Sequence, residues 1–577
     1  MEIKNRLTLL RNLLAEQDIS AMIIPSNDPH FGEYVPDYYK TIEWLTGFTG
    51  EAGTLVVAQE SAALWTDSRF FVQAEAQLQG TEVQLMKLKV EGTPSIQQWL
   101  KENLEEGDIV AMDEELFSYQ EYSSMVDELS PLTPSLIEDP FDVIWEDRPS
   151  LQFNPIRYVD ETITGESVAS KHSRLVEKLS GPVPFAYIVT ALDEICWLCN
   201  IRGTDVEYNP LVLSYAVVTP ENIHLFLMEQ MMEASAINIL SEQGVIFHPY
   251  EDIVKFLTNL PKDCIRIYSS GKISAKNFFA SMENIHHNAP FAPYAADPMT
   301  GGVLANMKAV KNEVELAGFR KAYVEDAKAQ IKFFNWIKEN VNNGITEYQA
   351  ALKLIEFRSE CPDYLGESFP PIVAYGPNAA LPHYGPSEEV SSVILPKGFL
   401  LIDTGAHYTY GTTDTTRTLA VGELTQEQKD DYTAVLKGMI NLSMAKFNKG
   451  TRGAQLDMLA RGPIMARGKI YWHGTSHGIG HNLCVHEGPQ SIRMEENSVS
   501  LALGMVLSNE PAVYIVGEYG IRIENTIVVA PWMKNEFAEF YQFETLNVLP
   551  INTEPINYDM LDEPHKQWLE EYNSRCL

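Results

Sequence analysis

Residues 399–421 read FLLIDTGAHYTYGTTDTTRTLAV. The apolar run Phe399–Ile402 predicts a buried strand, and a second strand is expected after Gly411. A turn centred near Tyr408–Thr409 makes the two a hairpin. In that register Asp403 and Asp414 stand directly opposite, with Cβ atoms about 5 Å apart. Two like charges in a half-buried cross-strand pair are destabilising unless a cation lies between them. Taken alone, the pair reads equally well as solvated hairpin acids, so a metal site needs further ligands.

Candidates follow downstream. Four of the 13 histidines fall in HGTSHGIGHNLCVHEGP (473–489), where Gly474, Gly478 and Gly480 argue for loop or irregular strand over helix. GMVLSNEP (504–511) is a β-like run ending at Glu510, stopped by Pro511. GIRIENTIVV (520–529) alternates, with Ile521, Ile523, Ile527 and Val529 on one face and Arg522 and Glu524 on the other. Asp403, Asp414, one histidine, Glu510 and Glu524 together form a hard, oxygen-rich donor set. Such a set suits Mn2+, or Co2+ or Fe2+, better than a closed thiolate zinc site. That many carboxylates over-neutralise one divalent ion, so two ions with shared carboxylates are expected.

Outward from this region the chain carries a repeated plan. AMIIPS (21–26), EWLTGF (43–48) and GTLVVA (53–58) are echoed by AYIVTA (186–191), EICWLCNIRG (194–203) and SYAVVT (214–219), which predicts two copies of one α/β domain. EDRPSLQFNPIRYVD (146–160) and NAPFAPYAADPMTGG (288–302) read as linkers, and residues 308–341 as one long helix. A length of 577 residues calls for two to four domains. A net charge of −36 with no basic run argues against nucleic-acid or anionic-membrane binding. No apolar run is long enough to span a membrane, and the opening MEIKNRLTLLRNLLAEQD reads as an amphipathic helix. The six cysteines are scattered, Cys196 and Cys199 read as core, and His286–His287 as surface, so a reduced, cytoplasmic enzyme is expected.

The motifs DTGAHYTYGTTDTTRT, HGTSHGIGHNLCVHEGP, NEP and GIRIEN, with PSNDPHFGEYVP, WTDSRFF and TALDEICWLCNIRGTDVEYNP, resemble the long three-domain form of the Xaa-Pro aminopeptidases, pita-bread metallopeptidases. The resemblance covers nearly the whole chain. It implies an α/β (α+β) architecture: a creatinase-like domain over 1–152, a second over 153–305, and a pita-bread catalytic domain with a C-terminal tail over 306–577. Asp403 matches a chelating Asp, Asp414 and Glu524 the bridging carboxylates, and His477 and Glu510 the ligands of the second metal. His486 and His383, in LPHYGP, match histidines that contact substrate, and Arg522 an arginine that orients ligands. Glu510 also matches the general base. Two Mn2+ ions per chain are implied, with Co2+ or Zn2+ as substitutes, together with a homodimer formed through the catalytic domain.

The implied reaction is hydrolysis of the bond between any N-terminal residue and a proline in second position. Departures from the family pattern fall at Ser476 and Ala512, where Gly is usual, and at His407 and Tyr410. The chain stops at HKQWLEEYNSRCL, where relatives usually continue, so a shortened C-terminus is expected. Three rivals stand beside this reading. Gly474-Thr-Ser476-His-Gly478 formally fits a serine nucleophile elbow, which needs a strand before and a helix after. The others are an X-Pro dipeptidase and a catalytically silent binding protein on the same fold.

Overall fold

The computed structural model describes residues 3–179, 184–268, 271–283, 294–296, 299 and 301–577. His286 and His287 lie outside them. The chain divides into two compact units, Met1–Tyr158 with Ser167–Pro298, and Val159–Glu166 with Met299–Leu577.

The first unit holds two six-stranded sheets. One is built from β1 (Ala21–Pro25), β2 (Thr54–Ala58), β3 (Ala62–Thr66), β4 (Val83–Lys87), β5 (Ile109–Asp113) and β6 (Thr133–Ile137), in the order β4-β3-β2-β1-β5-β6. A two-stranded ribbon pairs β7 (Arg157–Tyr158) with β9 (Ile201–Arg202). The other sheet uses β8 (Phe185–Val189), β10 (Tyr215–Val218), β11 (Ile223–Leu227), β12 (Val245–Pro249), β13 (Ile265–Tyr268) and β14 (Tyr294–Ala296), in the order β12-β11-β10-β8-β13-β14. The orders are the same, and so is the sense of every pairing. From the outer strand inward both sheets run parallel, antiparallel, antiparallel, parallel, parallel. The duplication expected from sequence pattern is a duplication of topology.

Both faces of the central strands are covered, which explains their unbroken apolar runs. Met22 and Ile24 of β1 pack with Leu7, Leu10 and Leu14 of the helix Ile3–Glu16, while Ala21 and Ile23 face Trp65, Trp99 and Leu100. Cys196 and Cys199 are fully buried, and burial pushes the Cys196 thiol up to about 12, so neither is a thiolate at neutral pH.

In the second unit the long helix predicted over 308–341 is interrupted. Val303–Ala309 and Glu313–Asn340 are separate helices, because Asn312 caps the second. Its side chain accepts from the amides of Val314 and Glu315, and Glu315 accepts from the Asn312 amide. The strands are β15 (Tyr364–Glu367), β16 (Ile372–Tyr375), β17 (Phe399–Thr404), β18 (Ala406–Tyr408), β19 (Gly411–Thr412), β20 (Thr415–Ala420), β21 (Lys446–Asn448), β22 (Ser476–Gly478), β23 (Glu487–Ile492), β24 (Val506–Asn509), β25 (Ala512–Ile515), β26 (Tyr519–Arg522), β27 (Asn525–Lys534) and β28 (Glu539–Thr545). They assemble as β15-β18-β19, β16-β17-β20, β21-β28-β27-β24-β22-β23 and the hairpin β25-β26. Among the described residues no helix is long and apolar enough to cross a membrane.

Candidate metal centre

The β17–β20 hairpin differs from the predicted register. Tyr408 pairs with Gly411, so the turn is Thr409–Tyr410, and Asp403 faces Thr416 and not Asp414. The slip is two residues. Side chains alternate with period two, so Asp414 stays on the face of Asp403 as its diagonal neighbour. Gly405 lies where a Cβ would run into the Thr413 carbonyl, which is why the strand turns on DTG. Asp414 is held from the other side by Tyr323 of the helix Glu313–Asn340, whose hydroxyl accepts from the Asp414 amide at 3.1 Å.

GIRIENTIVV is likewise not one strand. It breaks at Ile523–Glu524, with Ile521 and Ile523 in one core and Ile527 and Val529 in another. Arg522 and Glu524 still converge, since both meet the Thr416 hydroxyl. It donates to Glu524 Oε2 at 2.9 Å and accepts from Arg522 Nε at 3.3 Å. β24 ends at Asn509, and Glu510 sits between it and Pro511 as expected. Ser508 joins the two neighbouring ligand candidates, accepting from the His477 amide at 3.0 Å and donating to Glu510 Oε1 at 3.1 Å.

One ligand atom each from Asp403, Asp414 and Glu524 lies within 4.8 Å of the others, and the same holds for His477, Glu510 and Glu524 and for Asp414, His477 and His486. The groupings overlap into one centre. It contains every metal-ligand candidate named from sequence, with His486 beside His477 at a ring separation of 4.4 Å. Arg522 bonds Asp403 Oδ2 through Nε at 3.1 Å and through Nη2. His383 is half-buried on the turn after Gly376–Ala380 and belongs to none of the three groupings.

The electrostatics match a cation site. Burial raises the Asp414 carboxyl, and Asp403 adds to it. Burial with Asp414, Asp403 and Glu510 lifts Glu524 well above the carboxylate range. For Glu510 burial is outweighed by His477, which holds it down to about 2. Burial also works against protonated His477, yet Asp414 and Glu510 raise it well above its ordinary value. Nδ1 of His477 lies 2.9 Å from the Gly478 carbonyl, so Nε2 points at Asp414 Oδ2, 3.4 Å away, and Glu510 Oε1, 3.3 Å away. A lone pair facing two carboxylates needs a proton or a metal ion between them.

Sequence reasoning missed three residues here. Thr416 is two positions from Asp414 on its own strand, a signal that alternation carried. Tyr514 pairs with Gly520, placing it diagonal to Arg522, which donates to its hydroxyl. That hydroxyl lies 2.9 Å from Nε2 of the half-buried His473, which desolvation lowers to about 4. Arg417, next to Thr416, donates to the Glu524 carbonyl. Ser476, the formal elbow serine, is in strand β22 with a buried hydroxyl, and no helix follows it before β23.

Residues 317–531 match metallopeptidase family M24 and 539–577 its C-terminal region, while 6–139 and 147–315 each match the creatinase/prolidase N-terminal domain. The chain is 34% identical over 590 residues to a probable Xaa-Pro aminopeptidase P of Coprinopsis cinerea, covering 99% of this chain and 94% of the relative. The chain belongs to the Xaa-Pro aminopeptidase P group of metallopeptidase family M24. A probable Xaa-Pro aminopeptidase P of Fusarium vanettenii is 37% identical, covering 100% of this chain and 96% of that one. The structure of the X-prolyl aminopeptidase of Caenorhabditis elegans, described as a cytosolic enzyme with a di-nuclear active site, superposes with a TM-score of 0.92 at 32% identity, covering 100% of this chain and 95% of that one. The protein is thus an enzyme, a hydrolase of the metallo-aminopeptidase class, on a creatinase-like and pita-bread α/β fold.

Proposed function

We propose that the protein removes any N-terminal residue that precedes a proline, using two Mn2+ ions held by Asp403, Asp414, His477, Glu510 and Glu524. One observation carries this: Asp403 Oδ1 and Glu524 Oε1 are buried in the ligand cluster and bonded to no donor among the described residues. Their partner oxygens are taken by Arg522 and Thr416, so the unbonded ones are left for a cation. Hard oxygen donors with one imidazole fit Mn2+ best, with Co2+ or Zn2+ as substitutes.

Two such ions, when bound, supply a nucleophilic water at neutral pH and charge to polarise the scissile carbonyl. Glu510 takes up the proton of the nucleophile and delivers it to the proline nitrogen. His486, beside His477, and His383 donate to the oxyanion and bind the substrate. Arg522 holds Asp403 in place. An X-Pro bond has no N–H, so enzymes that hydrogen-bond that amide pass it over.

The domains are read as 1–152, 153–305 and 306–577, supported by the two matching sheets and the family matches of each part. A cytoplasmic location accords with the cysteine usage and with the description of the C. elegans enzyme as cytosolic. A homodimer is the assembly proposed, and sedimentation of wild type and of Trp472→Glu, at an exposed side chain of the catalytic domain, tests it.

Arg-Pro-Pro, Arg-Pro and Arg-Ala-Ala are the substrates for the deciding assay. Free Arg is expected from Arg-Pro-Pro and not from Arg-Ala-Ala, with loss under chelator and recovery on adding Mn2+. Cleavage of the dipeptide alone would make the protein a dipeptidase, and no cleavage of either proline peptide with metal bound would make it a binding protein.

A further inference from the structure

Arg417 follows Thr416, the residue facing Asp403, and is 1% exposed. Six neutral acceptors surround it. Nε donates to the Pro550 carbonyl at 3.1 Å; Nη1 donates to the carbonyls of Thr416 at 2.9 Å and Glu524 at 2.5 Å. Nη2 meets Asn525 Oδ1 at 2.9 Å, the Leu549 carbonyl at 2.7 Å and the Tyr572 hydroxyl at 2.9 Å. Among the described residues it makes no ion pair. A buried cation without a counter-ion costs free energy unless dipoles or a nearby opposite charge offset it.

The acceptors fall into two sets. Thr416, Glu524 and Asn525 belong to the strands and the link that carry the metal-ligand candidates. Leu549, Pro550 and Tyr572 belong to the C-terminal segment, with Tyr572 on the helix Glu563–Arg575. That helix is itself fastened. The Tyr572 hydroxyl donates to Leu549 at 2.8 Å, and Asn573 accepts from the Ile551 amide at 3.0 Å. One guanidinium therefore ties the C-terminal helix to the backbone of Glu524. Its net positive charge lies behind a cluster of four carboxylates.

We infer that Arg417, braced by Tyr572, is a positioning residue for the metal centre: it fixes the backbone of Glu524 so that Oε1 stays among the ligands, and its charge offsets part of theirs. The C-terminal helix is by this reading a support of the metal site as well as a cover for the core. The inference rests on the proposal that Glu524 holds metal, so its test carries Glu524→Gln alongside.

The experiment titrates Mn2+ into chelator-treated full-length protein by calorimetry, with Tm measured for each variant. Arg417→Lys keeps the charge and loses the fork, and is expected to weaken Mn2+ binding about 10- to 100-fold. Tyr572→Phe removes the hydroxyl that accepts from Arg417 and is expected to weaken it about 2- to 10-fold. In both, saturating Mn2+ restores kcat with the peptide KM unchanged. If Arg417→Lys does not fold, Tyr572→Phe decides. Wild-type isotherms in the foldable variants, with a lowered Tm and a weakened Glu524→Gln, overturn the inference alone. A wild-type isotherm in Glu524→Gln overturns the metal-site reading itself.

Discussion

Arg522 donates from Nε and Nη2 to a single oxygen of Asp403, Oδ2, and Oδ1 is left buried with no hydrogen bond among the described residues. Thr416 treats Glu524 in the same way, taking Oε2 and leaving Oε1. The fold thus uses half of each carboxylate to aim the other half. A solvated hairpin acid would have no such division, and a purely structural ion pair would use both oxygens. The arrangement brings like charges together, a repulsion that a retained proton or a metal ion relieves.

Metal removal should therefore destabilise the protein, and more so as pH rises. Asp414, Glu524 and His477 all have raised values in the folded, metal-free chain, so it keeps protons that the unfolded chain has released. Stability then falls as pH climbs from the ordinary values towards the raised ones. Glu510, held at about 2, acts oppositely, but its contribution is lost only in acid, as pH falls below 4.5 towards 2. Between about pH 5.5 and 8 the Tm gap between Mn2+-loaded and chelated protein should widen with pH. At a hundredfold excess over Kd the ion adds about 2.7 kcal/mol. Differential scanning calorimetry at three pH values checks this, and a gap that narrows with pH would contradict it.

Glu487, next to His486, accepts from Lys308 and Lys311, and all three side chains are buried. Two ammonium groups share one carboxylate, and burial lowers Lys311 despite Glu487. The partners should therefore be unequal in worth. Glu487→Gln strands two buried cations and is expected to cost about 3–5 kcal/mol. Lys311→Met leaves the Lys308–Glu487 pair intact and should cost clearly less. Urea unfolding of both variants decides, and equal losses would refute the asymmetry.

The sequence revealed chemistry better than register. Asp403 and Asp414 were paired two residues out, yet the error kept both on one face because alternation has period two. The same rule made Thr416 and Tyr514 legible in principle, as diagonal neighbours of residues already singled out. Arg417 was not legible, because its acceptors come from Leu549, Pro550 and Tyr572, more than 130 positions away, and no local pattern encodes them. The helix break at Asn312 was readable as Asn-x-x-Glu, but the apolar periodicity on both sides masked it. The duplicated sheets showed through because a strand buried on both faces has to be apolar throughout.

In the first unit His224 Nδ1 lies 3.0 Å from His248 Nε2, and both rings pack on Phe256. Burial, then His248, lowers His224 to about 4, and burial lowers His248 although Asp252 pulls it up. Depressed values mean that the unfolded chain binds protons first as pH falls below 6.5. Stability of this unit should drop between pH 6.5 and about 4. His224→Gln should flatten that loss, as read from the unfolding midpoint at pH 7 and pH 5. An unchanged pH dependence would show that the pair does not govern it.

Ser476 offers the last test, because it separates two chemistries at one site. Ser476 is 3% exposed within strand β22, and among the described residues its hydroxyl reaches only the His477 carbonyl, 3.5 Å away. A nucleophile elbow would expose that hydroxyl at a strand-to-helix turn, with a histidine ring as its base. Here the neighbouring His477 turns its Nε2 to Asp414 and Glu510 instead. Ser476→Ala should thus retain kcat within about twofold, since removing a buried, weakly bonded hydroxyl perturbs little. Glu510→Gln should lower kcat by about 10²–10⁴, the usual worth of a general base. Steady-state hydrolysis of Arg-Pro-Pro by both variants distinguishes the cases. A collapse of kcat in Ser476→Ala, with Mn2+ binding intact and a serine-directed phosphonate inhibiting wild type, would return the serine mechanism to favour.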